Sequence, residues 1–226
     1  MGSAIQPKLS TVQGQLEKVL RQLNITSKTI FSGRTDKDVH AFKQVVSFEI
    51  PSFWEDIPKL KKTLSTMLPK EITVLKVQLV QKDFHARFSA KRREYRYIIS
   101  HKKTNPFQSN YCHFEESLNI NAIKEAAKLF LGQHDFKSFS KMGSEPNSTI
   151  RTIYKIDIYT YKDYTIIRFQ ANAYLRSQIR MMVSFLLKIA KGKLSTQDLK
   201  EQLNNTTIHS TTLASPFGLY LSKVIY

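Results

Sequence analysis

Two long runs of β-branched and aromatic residues near the end of the chain constrain its fold most. The runs Ile150–Tyr161 and Tyr164–Ala171 are separated only by Lys162 and Asp163. Runs of this composition favour β-strands, and so short a connection favours an antiparallel hairpin. The sequence therefore predicts antiparallel strands in the second half of the chain.

Helical and strand patterns alternate along the rest of the sequence. The first predicted helix is capped by Ser10, with Gln13 three residues on as in a capping box. Further helices are predicted over residues 59–67, 120–131 (closed by Gly132), 176–190 and 195–203. Further strands are predicted over residues 28–32, 44–50, 72–80, 93–100 and 219–226. This pattern predicts an α+β fold with two similar halves, residues 1–83 and 84–226, each an antiparallel sheet with helices on one face.

Composition excludes several classes of protein. Apolar residues make up 41% of the chain, which rules out a disordered basic tail. No apolar run approaches the ~18 residues of a membrane span, so no membrane partner is expected. Cys112 is the only cysteine, which excludes an intrachain disulfide and a cysteine metal cluster. No signal-peptide layout is visible at the N-terminus, so a cytoplasmic protein is expected.

The positive charge is concentrated in two stretches. The net charge is +17, of which residues 85–103 contribute +6 and residues 151–193 contribute +7. In the first stretch Tyr95 and Tyr97 alternate with Arg93 and Arg96. Cationic side chains bind phosphates and aromatic rings stack on bases, so this pattern indicates a nucleic-acid-binding surface.

The segment from Gly33 to His40 follows a predicted strand and carries Arg34, Asp36 and Asp38. Three interpretations are open on these residues alone. The loop is a polar turn capped by its aspartates, a metal site formed by alternating Asp36, Asp38 and His40, or a catalytic loop.

Five segments, in order, resemble the tRNA pseudouridine synthase A (TruA) family. They are residues 10–17; Gly33-Arg34-Thr35-Asp36 with Val39-His40-Ala41; residues 83–90 with 95–99; residues 171–183; and residues 218–221 with Val224 and Tyr226. The resemblance spans nearly the whole chain. It implies that the two halves join into one extended sheet with the active-site cleft between them.

The resemblance also implies an activity, isomerisation of uridine to pseudouridine at positions 38–40 of the tRNA anticodon stem-loop. Asp36 matches the catalytic aspartate of the family, Arg180 the basic residue that pairs with it, and Tyr95 the active-site tyrosine. The reaction needs no cofactor and no metal. The implied partners are tRNA and, as a homodimer, a second copy of the chain.

RNA contacts are expected from arginines near these motifs: Arg34, Arg87, Arg92, Arg93, Arg96 and Arg176. Arg176 is expected one helical turn before Arg180 on the same face. Tyr97 is expected in packing or RNA contact, and His40 and Asp38 in hydrogen bonds of the turn.

The chain departs from the family pattern at two places. Lys37-Asp38 replaces the usual Ala-Gly, which puts a bulky residue at a glycine position and a second negative charge near Asp36. Residues 1–6 resemble only the end of a segment that normally precedes this point, so a first strand is expected to be missing. A catalytically impaired RNA-binding protein on the same scaffold and a metal-dependent hydrolase using Asp36, Asp38 and His40 are therefore kept as alternatives.

Overall fold

The computed structural model describes residues 2–3, 10–141, 143 and 146–226. Helices alternate with short and long strands along this part of the chain. The helices of this described part are α1 (Val12–Gln22), α2 (Ile57–Met67), α3 (Ile120–Lys128), α4 (Gln178–Ala190) and α5 (Thr196–Leu203). Its strands are β1 (Ile30–Phe31), β2 (His40–Ala41), β3 (Val46–Ser47), β4 (Arg92–Ser100), β5 (His113–Phe114), β6 (Gly132–Asp135), β7 (Ile150–Tyr161), β8 (Tyr164–Ala171) and β9 (Leu219–Ile225). The predicted α+β class is confirmed. None of the described helices combines the length and apolarity that crossing a membrane requires.

The chain divides into two compact units. The first comprises Met1–Lys37 and Gln44–Ala90, and the second comprises Asp38–Lys43 and Lys91–Tyr226. The division into halves 1–83 and 84–226 is a proposal. Residues 1–6 were expected to resemble only the end of the family's N-terminal segment, and of these, residues 1 and 4–6 lie outside the described residues.

The first unit has a small core between its two helices. Val19 and Leu20 of α1 share this core with Leu60 and Leu64 of α2. Strands β1 and β3 pair antiparallel, with Ile30 opposite Ser47. The strand predicted over residues 72–80 is wrong, because that segment has no ladder partner among the described residues. Its apolar side chains still pack against the core, which explains the pattern in the sequence.

The second unit is built on a seven-stranded sheet. Its strand order is β2-β9-β4-β8-β7-β6, and β5 pairs with the end of β4. The sheet is mixed rather than wholly antiparallel, because β2 joins β9 and β5 joins β4 in parallel. The predicted hairpin is confirmed, with Tyr161 opposite Tyr164 across the turn. Buried residues of β4, β8 and β9 share one core with those of α3 and α4.

Three predicted helix ends are corrected. Helix α1 is capped by Thr11 rather than Ser10, and the Thr11 Oγ1 accepts a hydrogen bond from the Gly14 N–H at 3.1 Å. Helix α3 ends at Lys128, and Gly132, with φ of 93°, begins β6 instead of closing the helix. Helix α4 begins at Gln178, because Ser177 before it has a left-handed φ of 60°. Each correction reflects a local backbone conformation that apolar periodicity does not encode.

Replacement of Thr11 by Ala tests the corrected cap. The change removes the acceptor for the Gly14 N–H, so we expect the free energy of unfolding to fall by about 1 kcal/mol. Urea titration of the purified protein measures this change. Thr11→Ser keeps the acceptor and serves as the matched control, and an equal or larger loss in Ser10→Ala would contradict the assignment.

Candidate active site

Strand β4 presents two tyrosines on one face of the sheet. Side chains alternate along a strand, so Tyr95 and Tyr97 point the same way, into the core of the second unit. Tyr97 is fully buried and its hydroxyl donates to the Ser215 carbonyl at 3.0 Å. Burial raises the pKa of Tyr97, and the charge of Arg180 partly opposes that rise. Tyr97 is therefore a neutral packing residue within electrostatic reach of Arg180.

Tyr95 is held by a second tyrosine that the sequence analysis did not single out. The Tyr174 ring meets the Tyr95 ring edge-on, with centroids 5.2 Å apart and planes at 84°. Burial raises the pKa of Tyr174, so its hydroxyl stays protonated at neutral pH. Edge-to-face contact is a favoured geometry for two aromatic rings, and it fixes the plane of the Tyr95 ring.

Arg180 lies in the first turn of α4 and is oriented by the backbone. Its Nε donates to the Ala214 carbonyl at 2.8 Å, and the Ala214 N–H donates to the Arg180 carbonyl at 3.0 Å. Because the guanidinium is planar, fixing Nε also fixes the plane in which its remaining N–H groups can donate. The side chain is half-buried.

The loop that carries Asp36 is fixed by two side chains of the first unit. Ser3 accepts from the Thr35 N–H at 2.6 Å through its hydroxyl and donates its own N–H to the Thr35 carbonyl at 3.1 Å. Gln44 Nε2 donates to the Gly33 carbonyl at 2.9 Å. Asp36 is half-buried directly after the bonded Thr35. The sequence gives no signal for Ser3 or Gln44, because their contacts depend on long-range folding.

The residues that follow Asp36 enter the sheet of the second unit. In β2, His40 lies opposite Tyr220 and Ala41 opposite Leu221 of β9. Leu221 in turn lies opposite Tyr95 of β4. Ala41, Leu221 and Tyr95 are therefore in register on three neighbouring strands, and Ala41 is only five residues after Asp36.

Asp38 occupies the position where the family pattern has glycine. Its φ is 65°, a left-handed conformation that glycine adopts freely and that aspartate tolerates better than most residues. The structure thus accounts for the departure in this loop: the backbone turn is of the glycine type, and an aspartate makes it.

His40 is engaged in structure. Its ring stacks on Tyr220 at 4.7 Å and on Tyr111 at 5.3 Å, and its Nε2 bonds to the Asn110 carbonyl at 2.8 Å. A carbonyl only accepts, so Nε2 carries the proton and cannot ligate a metal. The ring contacts and the Nε2 hydrogen bond account for the position of His40 as part of the fold.

A separate group, Asp198, Glu201 and His209, brings its ligand atoms within 4.8 Å of one another. Asp198 accepts from the Ser195 N–H in the cap of α5, and Glu201 pairs with His209 at 2.8 Å. Helix capping and ion pairing account for this group.

The six candidate RNA-binding arginines fall into different environments. Arg34, Arg87 and Arg176 are exposed. Arg93 is buried on the Tyr95 face of β4 and donates to the Asn172 carbonyl at 2.9 Å. Arg92 and Arg96 project from the opposite face, Arg92 over the Tyr154 ring and Arg96 beside Glu94 at 3.4 Å. The strand period therefore divides the basic stretch between two faces.

The expectation that Arg176 shares a helix face with Arg180 is wrong. Arg176 precedes α4, and its carbonyl accepts from the Lys141 N–H at 3.0 Å. The left-handed Ser177 between Arg176 and the helix turns the chain, so helical spacing does not apply.

The chain is similar in sequence to known proteins. A family model described as tRNA pseudouridine synthase matches residues 126–226. The chain is 39% identical to tRNA pseudouridine synthase A of Campylobacter jejuni strain RM1221 over 226 residues, covering all of this chain and 94% of that protein. It is also 39% identical to tRNA pseudouridine synthase A of Listeria monocytogenes strain EGD-e over 235 residues, covering all of this chain and 93% of that protein.

These similarities show that the chain is a pseudouridine synthase, which is a kind of isomerase. Identity of 39% over the whole chain then places it in the tRNA pseudouridine synthase A family, to which it belongs.

Replacement of Asp38 by Ala tests the strain at the glycine-type position. Alanine tolerates a left-handed φ less well than aspartate, so we expect the free energy of unfolding to fall by about 1 kcal/mol. Asp38→Asn keeps the local hydrogen-bonding capacity of the side chain and is the control. Equal stability of the two variants in urea titration would contradict the left-handed assignment.

Proposed function

We propose that the protein isomerises uridines at positions 38–40 of the tRNA anticodon stem-loop, with Asp36 as the catalytic carboxylate. The observation that carries this proposal is the register of the sheet: the chain leaving the Asp36 loop runs beside β9, and β9 runs beside the strand that bears Tyr95. Asp36 is also preceded by Thr35, which Ser3 bonds on both its N–H and its carbonyl. A carboxylate on such a fixed loop is suited to catalysis, because its position does not have to be organised during the reaction.

The chemistry exchanges one glycosidic bond for another. The bond from uracil N1 to ribose C1′ breaks, the base turns, and C5 bonds to C1′; C5 loses a proton and N1 gains one. The Asp36 carboxylate acts either as a nucleophile at C1′ or as a base that removes a ribose proton. Both roles require the ionised form of Asp36.

We assign supporting roles to Tyr95 and Arg180. We propose that the Tyr95 ring, whose plane is supported by the contact with Tyr174, stacks on the uracil and assists loss of the C5 proton. Arg180, oriented through Ala214, supplies the positive charge that pairs with the Asp36 carboxylate. Tyr97 is excluded from the chemistry by its full burial and its bond to Ser215.

The RNA contacts are assigned by exposure and by strand face. Arg34, Arg87 and Arg176 are exposed, so we propose that they contact phosphates. We propose that Arg92, which is also exposed, and Arg96 contact RNA on the opposite face of β4. Arg93 lies on the Tyr95 face, where it bonds to the Asn172 carbonyl, and we propose that it contacts RNA there.

A stem base must leave the duplex before it can reach a carboxylate, at a cost of a few kcal/mol. We propose that Arg34, two residues before Asp36, contacts the displaced phosphate or fills the vacated space. We also propose a cytoplasmic homodimer, as in the family pattern.

Replacement of Asp36 by Asn tests the catalytic assignment. The amide keeps the shape of the side chain but cannot act as a carboxylate. We expect release of tritium from unmodified tRNA labelled at uracil C5 to fall by roughly 10³-fold or more, with tRNA affinity retained. Asp38→Asn, which removes the neighbouring carboxylate, is the matched control and should retain release within about threefold.

Two other outcomes separate the alternatives. Binding of tRNA by the unaltered protein without tritium release would favour an RNA-binding protein. Chelator-sensitive hydrolysis of tRNA would favour a metal-dependent hydrolase. Undiminished release by Asp36→Asn would contradict the role of Asp36 itself.

The salt dependence of tRNA affinity tests the phosphate contacts. Because each phosphate contact releases counterions, removing one should lower the slope of log affinity against log salt by about 1. We expect this change in Arg34→Ala and Arg176→Ala, measured by filter binding between low and physiological salt. Lys200→Ala, which removes an equal charge from an exposed position on α5, is the control. Equal slopes in all four proteins would contradict the assignment.

A further inference from the structure

Four aromatic rings form a continuous stack beside the short strand β2. Phe42 stacks on Tyr220 at 4.7 Å with planes at 15°, Tyr220 on His40 at 4.7 Å, and His40 on Tyr111 at 5.3 Å. All four residues belong to the second unit. His40 occupies an inner position of this stack, with a tyrosine on each side.

Two hydrogen bonds connect this stack to the loop that contains Asn110 and Tyr111. The His40 Nε2–H donates to the Asn110 carbonyl at 2.8 Å, and the Tyr220 hydroxyl donates to the Tyr111 carbonyl. Neighbouring rings of the stack thus donate to two consecutive carbonyls of the loop before β5. His40 therefore joins the segment after Asp36 to β9 and to residues 110–111.

Strand β2 is too short to hold this segment by itself. It has two residues, and its pairing with β9 is extended by the N–H groups of Phe42 and Lys43, which donate to the Leu221 carbonyl at 2.9 and 3.4 Å. A parallel ladder of this length is weak on its own. The ring contacts and the hydrogen bond of His40 supply the additional fixation.

We propose that His40 is a positioning residue for the reaction: it fixes residues 38–43 on the sheet and thereby sets where the Asp36 loop leaves it. The inference rests on the proposed catalytic role of Asp36. His40 itself touches no reacting atom. It acts through the three residues of chain that separate it from Asp36, and a small displacement of a catalytic group is enough to slow a reaction substantially.

Replacement of His40 by Ala and by Phe separates the ring contacts from the hydrogen bond. His40→Ala removes both, and His40→Phe keeps a flat ring between the two tyrosines. We expect kcat for tritium release to fall by roughly 10- to 100-fold in His40→Ala and by less in His40→Phe, with the Kd for tRNA unchanged in both. His134→Ala is the matched control: His134 also contacts an aromatic ring and bonds through Nε2 to a carbonyl, that of Leu131, and its loss should leave kcat unchanged.

Hydrogen exchange of the Phe42 amide gives a readout that does not depend on activity. We expect this amide to exchange faster in His40→Ala than in the unaltered protein. Faster exchange with unchanged kcat would overturn the positioning role, as would slowed catalysis with unchanged exchange. A raised Kd at constant kcat would instead make His40 a tRNA contact. If Asp36→Asn keeps its activity, the proposed function fails. The Phe42 exchange would still report whether His40 holds residues 38–43 on the sheet.

Discussion

The placement of β4 in the sheet is the constraint on which the rest of the second unit depends. This strand of nine residues is hydrogen-bonded to β8 on one side and to β9 on the other. A slip by one residue would move Tyr95 and Tyr97 to the opposite face, so both ladders fix which side chains meet the core. The close approach of Gly218 adds to this, because a Cβ there would lie 2.8 Å from the Ile98 carbonyl oxygen. The position of Tyr95 is therefore determined by the backbone as well as by its own contacts.

The Asp36 loop depends on contacts on both of its sides along the chain. Before Asp36, Ser3 holds Thr35 in the first unit. After Asp36, residues 38–43 belong to the sheet of the second unit, through β2 and the rings around His40. The contacts before Asp36 therefore lie within one unit, and those after it lie within the other.

Local sequence determined some features and not others. The hairpin of β7 and β8 was predictable, because its β-branched runs and two-residue turn act over neighbouring residues. The parallel pairing of β2 with β9 was not predictable from pattern, since it joins residues about 180 positions apart through a two-residue strand. Asp36, Tyr95 and Arg180 were proposed as site residues by resemblance, whereas Tyr174 and Ser3 make contacts that only the folded chain creates. Arg176 was misplaced because one left-handed residue, Ser177, interrupts the helical spacing.

Mapping of pseudouridine along an unmodified tRNA tests the central claim most directly. The purified protein would be incubated with a transcript carrying uridines at positions 38–40 and elsewhere, and the products located by carbodiimide modification and primer extension. The account predicts new pseudouridines confined to positions 38–40 with the unaltered protein, and none with Asp36→Asn. Pseudouridine formed only outside the anticodon stem-loop, or formed equally by both proteins, would contradict it.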